Sequence, residues 1–184
     1  MNLDELRSFA EEHTTRSAFR LECLDRYEVD SDQDNVRQYL TGGSGPSWAD
    51  GDDWMEYLTS EKTRGVRRYR VHVLASPIGP YLRYECEWGY VYTTAAGEEV
   101  YILDTAETPR PEGLPEEEFW LYDDRHVVVM DYDDQGRFVG ARALSESAAP
   151  RYQRYRDLAM GAAVPFADWW ARHPENLREN WLRA

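Results

Sequence analysis

Leu3, Leu6, Phe9 and Ala10 recur at the three- and four-residue spacing of one helix face, so residues 2–12 are predicted to form a short amphipathic helix. Thr14–Ser17 breaks that pattern. From Ala18 to Leu24 the chain alternates, with Phe19, Leu21 and Cys23 on one side and Arg20 and Glu22 on the other, which is the period of a strand. Residues 31–40 return to helical spacing, capped by Ser31 or Asp32 and carrying Val36, Tyr39 and Leu40. Thr41–Pro46 is a glycine-rich loop that lacks the Gly-Lys-Ser/Thr of a phosphate loop. A helix over Asp52–Lys62 would carry Trp54, Tyr57 and Leu58. Val66–Leu74 is the clearest strand, with Tyr69, Val71 and Val73 facing one side and Arg68, Arg70 and His72 the other.

Residues 80–92 satisfy two patterns. Leu82, Tyr84, Cys86 and Trp88 alternate with Arg83, Glu85 and Glu87 as in a strand, yet Tyr81, Tyr84, Glu85 and Trp88 share a helical face. Pro80 suits the first position of a helix, and Arg83 and Glu87 are spaced for an i,i+4 ion pair, so helix is the preferred reading. Glu98–Leu103 and Phe119–Tyr122 read as strands on either side of a Pro- and Glu-rich loop, 108–118. His126–Tyr132 and Phe138–Leu144 form a hairpin around Asp133-Asp134-Gln135-Gly136. Tyr152, Tyr155, Ala159, Ala162, Phe166 and Trp169 make a helical stripe that Pro165 interrupts, because a proline inside a helix removes a hydrogen bond. The elements predict an α+β fold in one domain, 1–184. Its mixed or antiparallel sheet of about five to six strands is packed by helices, and its C-terminal helical segment, 149–182, breaks near Pro165.

Composition narrows the chemistry. The net charge of the 184 residues is −14, which disfavours nucleic acid and anionic membranes and favours basic partners. The charge is uneven. Residues 98–134 hold thirteen Asp/Glu against two Arg, while Arg64–His72 holds four Arg and no acid. Direct nucleic-acid binding would need a basic face around Arg64–Arg70, and none is expected. Cys23 and Cys86 lie far apart in no motif, so neither a disulfide framework nor a zinc site is expected. The N-terminus is acidic and amphipathic rather than signal-like, and no apolar run is long enough to span a bilayer; a cytoplasmic protein is expected.

Several segments taken together resemble a known family. They are Ser17–Glu22 (SAFRLE), Arg68–Val71 (RYRV), Tyr81–Glu85 (YLRYE), Ala95–Glu98 (AAGE), Phe119–Asp123 (FWLYD) and Asp131–Gly136 (DYDDQG). The chain from about residue 15 to 170 resembles an actinobacterial domain of unknown function whose genes often lie beside helix-turn-helix regulators. The resemblance implies an α+β fold and a bacterial cytosolic setting, and implies no reaction.

Arg20, Glu22, Arg70, Arg83, Glu85 and Glu98 fall in those segments and form the candidate ligand-binding set. Guanidinium forks and carboxylates converging on a cleft would hold a small polar molecule; the same groups, paired in the interior, would be an ion-pair network. Asp131–Gly136 imitates the start of a calcium loop but puts Arg142 where a bidentate Glu is needed, so it reads as a hairpin turn. Asp123, Asp124 and His126 straddle the two faces of a strand, and the four His show no metal spacing. No metal and no cofactor are expected, and with no nucleophile motif catalysis is not favoured. The leading expectation is a regulatory or protein-interaction module with a basic helix-turn-helix partner. The alternative is a small-ligand-binding protein or enzyme that uses the Arg/Glu set.

Overall fold

A computed structural model describes residues 1–29, 32–46 and 53–181. The fold is α+β. Seven strands form one mixed sheet in the order β6-β5-β4-β1-β2-β3-β7. The strands are β1 (Ser17–Glu22), β2 (Arg67–Leu74), β3 (Glu99–Asp104), β4 (Phe119–Tyr122), β5 (His126–Tyr132), β6 (Phe138–Ala143) and β7 (Val164–Pro165). β1, β2 and β3 run parallel; β4, β5 and β6 extend one edge antiparallel, and β7 closes the other. The sheet thus exceeds the five to six strands expected. The additional one, β7, is a two-residue pairing beside Ile102 and Tyr101, too short to leave a periodic signal.

Parallel neighbours need crossovers, and helices supply them. α2 (Gln33–Leu40) and α3 (Asp53–Thr63) connect β1 to β2. The connection from β2 to β3 is helical throughout: α4 (Pro80–Tyr84), a π-helical turn (Glu85–Tyr90) and α5 (Val91–Ala96). α1 (Leu3–His13) precedes the sheet. It starts with a capping box in which Asn2 accepts from the Glu5 N–H and the Glu5 carboxylate accepts from Asn2. α6 (Ala149–Ala162), α7 (Phe166–Arg172) and α8 (Arg178–Trp181) end the chain. The helix expected over 149–182 does break before Pro165, and its stripe divides: Tyr152 and Ala159 enter one core, Phe166 and Trp169 another. The expected Ser31 cap, the start of the Asp52–Lys62 helix and residue 182 lie outside the described residues.

Side-chain alternation sorts the sheet into two faces. Phe19, Leu21, Tyr69, Val71, Phe119, Leu121, Val127 and Val129 pack with α6 in the main core. On the opposite face two apolar patches lie apart. α1 covers Ala18, Tyr122, Val128 and Met130 through Leu6, Phe9 and Ala10. α4, the π turn and α7 cover Val100 and Ile102 through Leu82, Cys86, Tyr90, Phe166 and Trp169. Between the patches, at β1 and β2, the same face carries Arg20, Glu22, Arg68, Arg70 and His72. Parallel register sets Arg20 beside Arg70 and Glu22 beside His72. The polar stripe therefore lies at the seam between two apolar contacts.

Candidate functional site

A buried charge needs a partner, and this seam provides several. Arg20, 3% exposed, donates to the Glu118 carboxylate at 2.7 Å and to the Tyr132 hydroxyl at 2.8 Å. Glu118 also accepts from the Cys23 and Leu24 N–H groups and the Tyr27 hydroxyl. Arg70 donates to both oxygens of Glu22, at 3.0 and 2.9 Å, and to Glu98 Oε1 at 2.7 Å. Burial opposes ionisation of Glu22, but the Arg70 and Arg20 guanidiniums outweigh it and hold its carboxyl well below the usual range. Among the described residues no guanidinium is bonded to Glu85, and burial pushes its carboxyl up instead.

His72 is fully buried at the centre of the group. Its Nε2 lies 2.9 Å from the Leu24 carbonyl, which can only accept, so that nitrogen carries the hydrogen. Its Nδ1 faces the Tyr90 hydroxyl at 2.6 Å, Glu85 Oε2 at 3.6 Å and Glu22 Oε2 at 3.9 Å. Glu85 and Tyr90 stand at the two ends of the π turn. Such turns shift side chains relative to an α-helix and recur at functional sites.

Of the six residues singled out in the sequence, five meet here: Arg20, Glu22, Arg70, Glu85 and Glu98. Arg83 does not. It points away, with its guanidinium 5.3 Å from the Trp181 ring, while Glu87 accepts from the Tyr39 hydroxyl and the Arg178 N–H instead of pairing with Arg83. Tyr27, His72, Tyr90, Glu118 and Tyr132 complete the group and were not singled out. For His72 the signal existed, since it alternates with Arg68 and Arg70. Glu118, in a loop rich in Pro and Glu, carried none. Three acids of the 98–134 block, Glu98, Asp104 and Glu118, are buried rather than solvated.

A cleft of about 420 Å³ opens onto one side of the network. Arg70, Glu85, Tyr90, Thr93, Tyr81 and Arg7 are among its walls. Thr93 is 7% exposed, and its buried hydroxyl has no hydrogen-bond partner among the described residues. A second cavity of about 450 Å³ shares Arg7, Asp53 and Trp54 with the first and is lined by Leu6, Tyr57, Trp120 and Tyr122. Arg68 forms part of its floor, 5.2 Å from the Trp120 ring and 5.4 Å from that of Trp54, with its charge met by Glu61.

The other segments considered for chemistry have structural roles. Asp123 accepts from the N–H groups of Thr15, Arg16 and Ser17, Asp124 pairs with Arg156, and His126 stacks on His13 at 4.2 Å. Asp131 pairs with Arg142, and Asp133 accepts from the Gln135 and Arg137 N–H groups of the hairpin turn. In the arginine-rich strand, Arg67, Arg68 and Arg70 all face carboxylates. No helix among the described residues is long and apolar enough to cross a membrane.

No curated protein matches the sequence. A family model does, over residues 4–171, and on that match the chain belongs to the family described as a domain of unknown function, DUF6879.

Proposed function

We propose that this protein binds a small molecule in the double cavity beside the buried network. The observation that carries the reading is the shared wall. A polar chamber and an aromatic chamber meet at Arg7, Asp53 and Trp54, and each has a volume suited to a small ligand. The ring faces of Trp54 and Trp120 with Leu6 suit an apolar or aromatic body. The Thr93 hydroxyl, which no described residue partners, offers a polar end a hydrogen bond. Arg20 and Glu22 lie beneath this cleft as paired groups, so of the expected Arg/Glu set only Arg70 and Glu85 wall it.

A thermal-shift screen of the full chain against a panel of small metabolites tests this. Compounds with a flat apolar body and a polar end should raise the melting temperature. Leu6→Glu, which puts a charge into the aromatic chamber, should abolish the rise, whereas Val139→Glu, at an exposed site on β6, should leave it intact. A ligand response that survives Leu6→Glu in a folded protein would reject the site.

A second reading, the interaction module, rests on an acidic bowl of about 870 Å³ bordered by Asp25, Glu28, Glu116, Glu117, Asp133 and Asp134. Its charge suits a basic helix-turn-helix regulator. Co-purification that weakens with salt and is lost in Glu116→Lys/Glu117→Lys would support it; no complex with such a regulator at low salt would remove it.

A further inference from the structure

We infer that Glu22, His72 and Glu85 form a site for a first-row divalent metal ion at the floor of the polar cleft. The inference does not rest on the small-molecule reading, because a metal can be measured with no organic ligand present.

Two observations carry it. The first is charge. The network holds four carboxylates, Glu22, Glu85, Glu98 and Glu118, against two guanidiniums, Arg20 and Arg70. Arg68 is already matched by Glu61. Carboxylates thus outnumber guanidiniums by two, and a divalent cation would supply the positive charge that the two guanidiniums leave unmatched. The second is convergence. His72 Nδ1 lies 3.6 Å from Glu85 Oε2 and 3.9 Å from Glu22 Oε2, with the Tyr90 hydroxyl 2.6 Å from Nδ1 and 3.2 Å from Glu22 Oε2. Among the described residues Glu85 Oε2 is buried with no hydrogen-bond partner. One imidazole nitrogen and two carboxylate oxygens converging on a point, one of them unpartnered, describe a place for a cation.

The donor types suit the ion. One imidazole nitrogen and two carboxylates match zinc, manganese or iron better than calcium, which takes oxygen alone. One potential ligand atom from each of the three residues lies within 4.8 Å of the others. The second ring nitrogen of His72 is already held by the Leu24 carbonyl at 2.9 Å, the outer support that metal-bound histidines characteristically have. Arg70 steadies Glu22 in the same way. An entering ion takes the place of the Tyr90 hydroxyl beside Nδ1, and that hydroxyl remains within reach of Glu22. Glu85 and Tyr90 both line the cleft, which gives the ion a path to water and leaves a coordination position facing the cavity.

The spacing of the ligands in the chain hides the site. Glu22 comes from β1, His72 from β2 and Glu85 from the π turn, so no short motif marks it and the sequence predicts no metal.

The test uses the full chain, stripped with a chelator and titrated with Co²⁺ and Zn²⁺ near neutral pH. One equivalent of Co²⁺ should bind with visible d–d absorption, and Zn²⁺ should displace it. Glu85→Gln keeps the shape of the side chain and removes one charge. It should weaken binding by roughly 10-fold or more, at least what the loss of an outer support to a metal ligand costs, while leaving the stripped protein folded. His173→Gln, which alters a separate grouping of His173 with Asp104 and Glu107, should leave binding unchanged. Absence of saturable binding, or equal binding by wild type and Glu85→Gln, would overturn the assignment. Loss on His173→Gln alone would move the ion to that other grouping and overturn it as well.

Discussion

Arg68 and Glu61 show how a buried pair behaves when it stands alone. Glu61 is 1% exposed and receives two bonds from the Arg68 guanidinium, at 2.6 and 2.9 Å. Removing one partner strands the other charge in the interior. Arg68→Met should therefore cost about 3–5 kcal/mol, whereas Arg68→Met with Glu61→Leu should recover most of that loss. A urea-unfolding double-mutant cycle measures both, and equal stability of the single and double variants would reject the account. Asp104 is a second buried acid with a different balance. Burial alone would raise its pKa, but donors from Ser76, Ala106 and Trp169 outweigh that and hold it below the ordinary value. Its contribution is thus complete above the ordinary carboxylate range and lost as the pH falls through the lowered value. Asp104→Asn should lose roughly 1–3 kcal/mol at neutral pH, and the deficit should shrink toward acid. A deficit that does not change with pH would reject it. At this scale the sequence was legible where alternation fixed direction: Arg20, Glu22 and Arg70 share a face because each sits an even number of residues from its strand neighbours. Tyr27, Tyr132 and Glu118 reach the network from loops and from β5, across more than ninety residues in the last case, and no local pattern announces a contact of that range.

At the scale of elements, the connection from β2 to β3 explains why residues 80–92 looked like both a helix and a strand. Leu82, Cys86 and Tyr90 face the sheet, while Tyr84 and Trp88 face α2 through Tyr39. A helix buried on two sides hides every second residue here and so imitates alternation. What separates the two readings is that residues two apart, such as Leu82 and Tyr84, face opposite sides in the helix but would share one face in a strand, and that is set by the packing rather than by the pattern. The hairpin between β5 and β6 was legible from its turn residues, and its glycine has a further role. Gly136 has φ +79°, and a Cβ there would lie 2.2 Å from the Arg26 carbonyl oxygen. Gly136 also accepts from the Glu28 N–H, tying the β1 exit to the hairpin. Gly113 has a similar φ, +83°, with open space around it. Gly113→Ala should cost only the left-handed penalty, about 1–2 kcal/mol, and Gly136→Ala clearly more, because backbone must move. Equal melting temperatures for the two variants would show that the contact with Arg26 yields without cost.

For the whole molecule, the charge of −14 is distributed by the fold rather than by the sequence block alone. Glu98, Asp104 and Glu118 turn inward and find donors, so the repulsion that remains belongs to exposed acids such as Glu116, Glu117, Asp133 and Asp134 around the bowl. The sequence could locate the acidic block but not divide it, because a carboxylate in a Pro- and Glu-rich loop has the same local signature whether it is solvated or buried against Arg20. Exposed like charges within a Debye length, about 8 Å at physiological ionic strength, repel one another in the folded state and relax on unfolding. Moderate salt should therefore raise the melting temperature at neutral pH. Replacing Glu116 and Asp134 together by Arg should raise it at low salt and flatten its salt dependence. Glu56→Arg with Glu12→Arg changes the net charge equally at exposed sites on α3 and α1, away from the bowl, and should do so less. If the two pairs shift the melting temperature and its salt slope alike, the repulsion is spread over the whole surface, and the bowl loses its claim as the place where a basic partner would gain most.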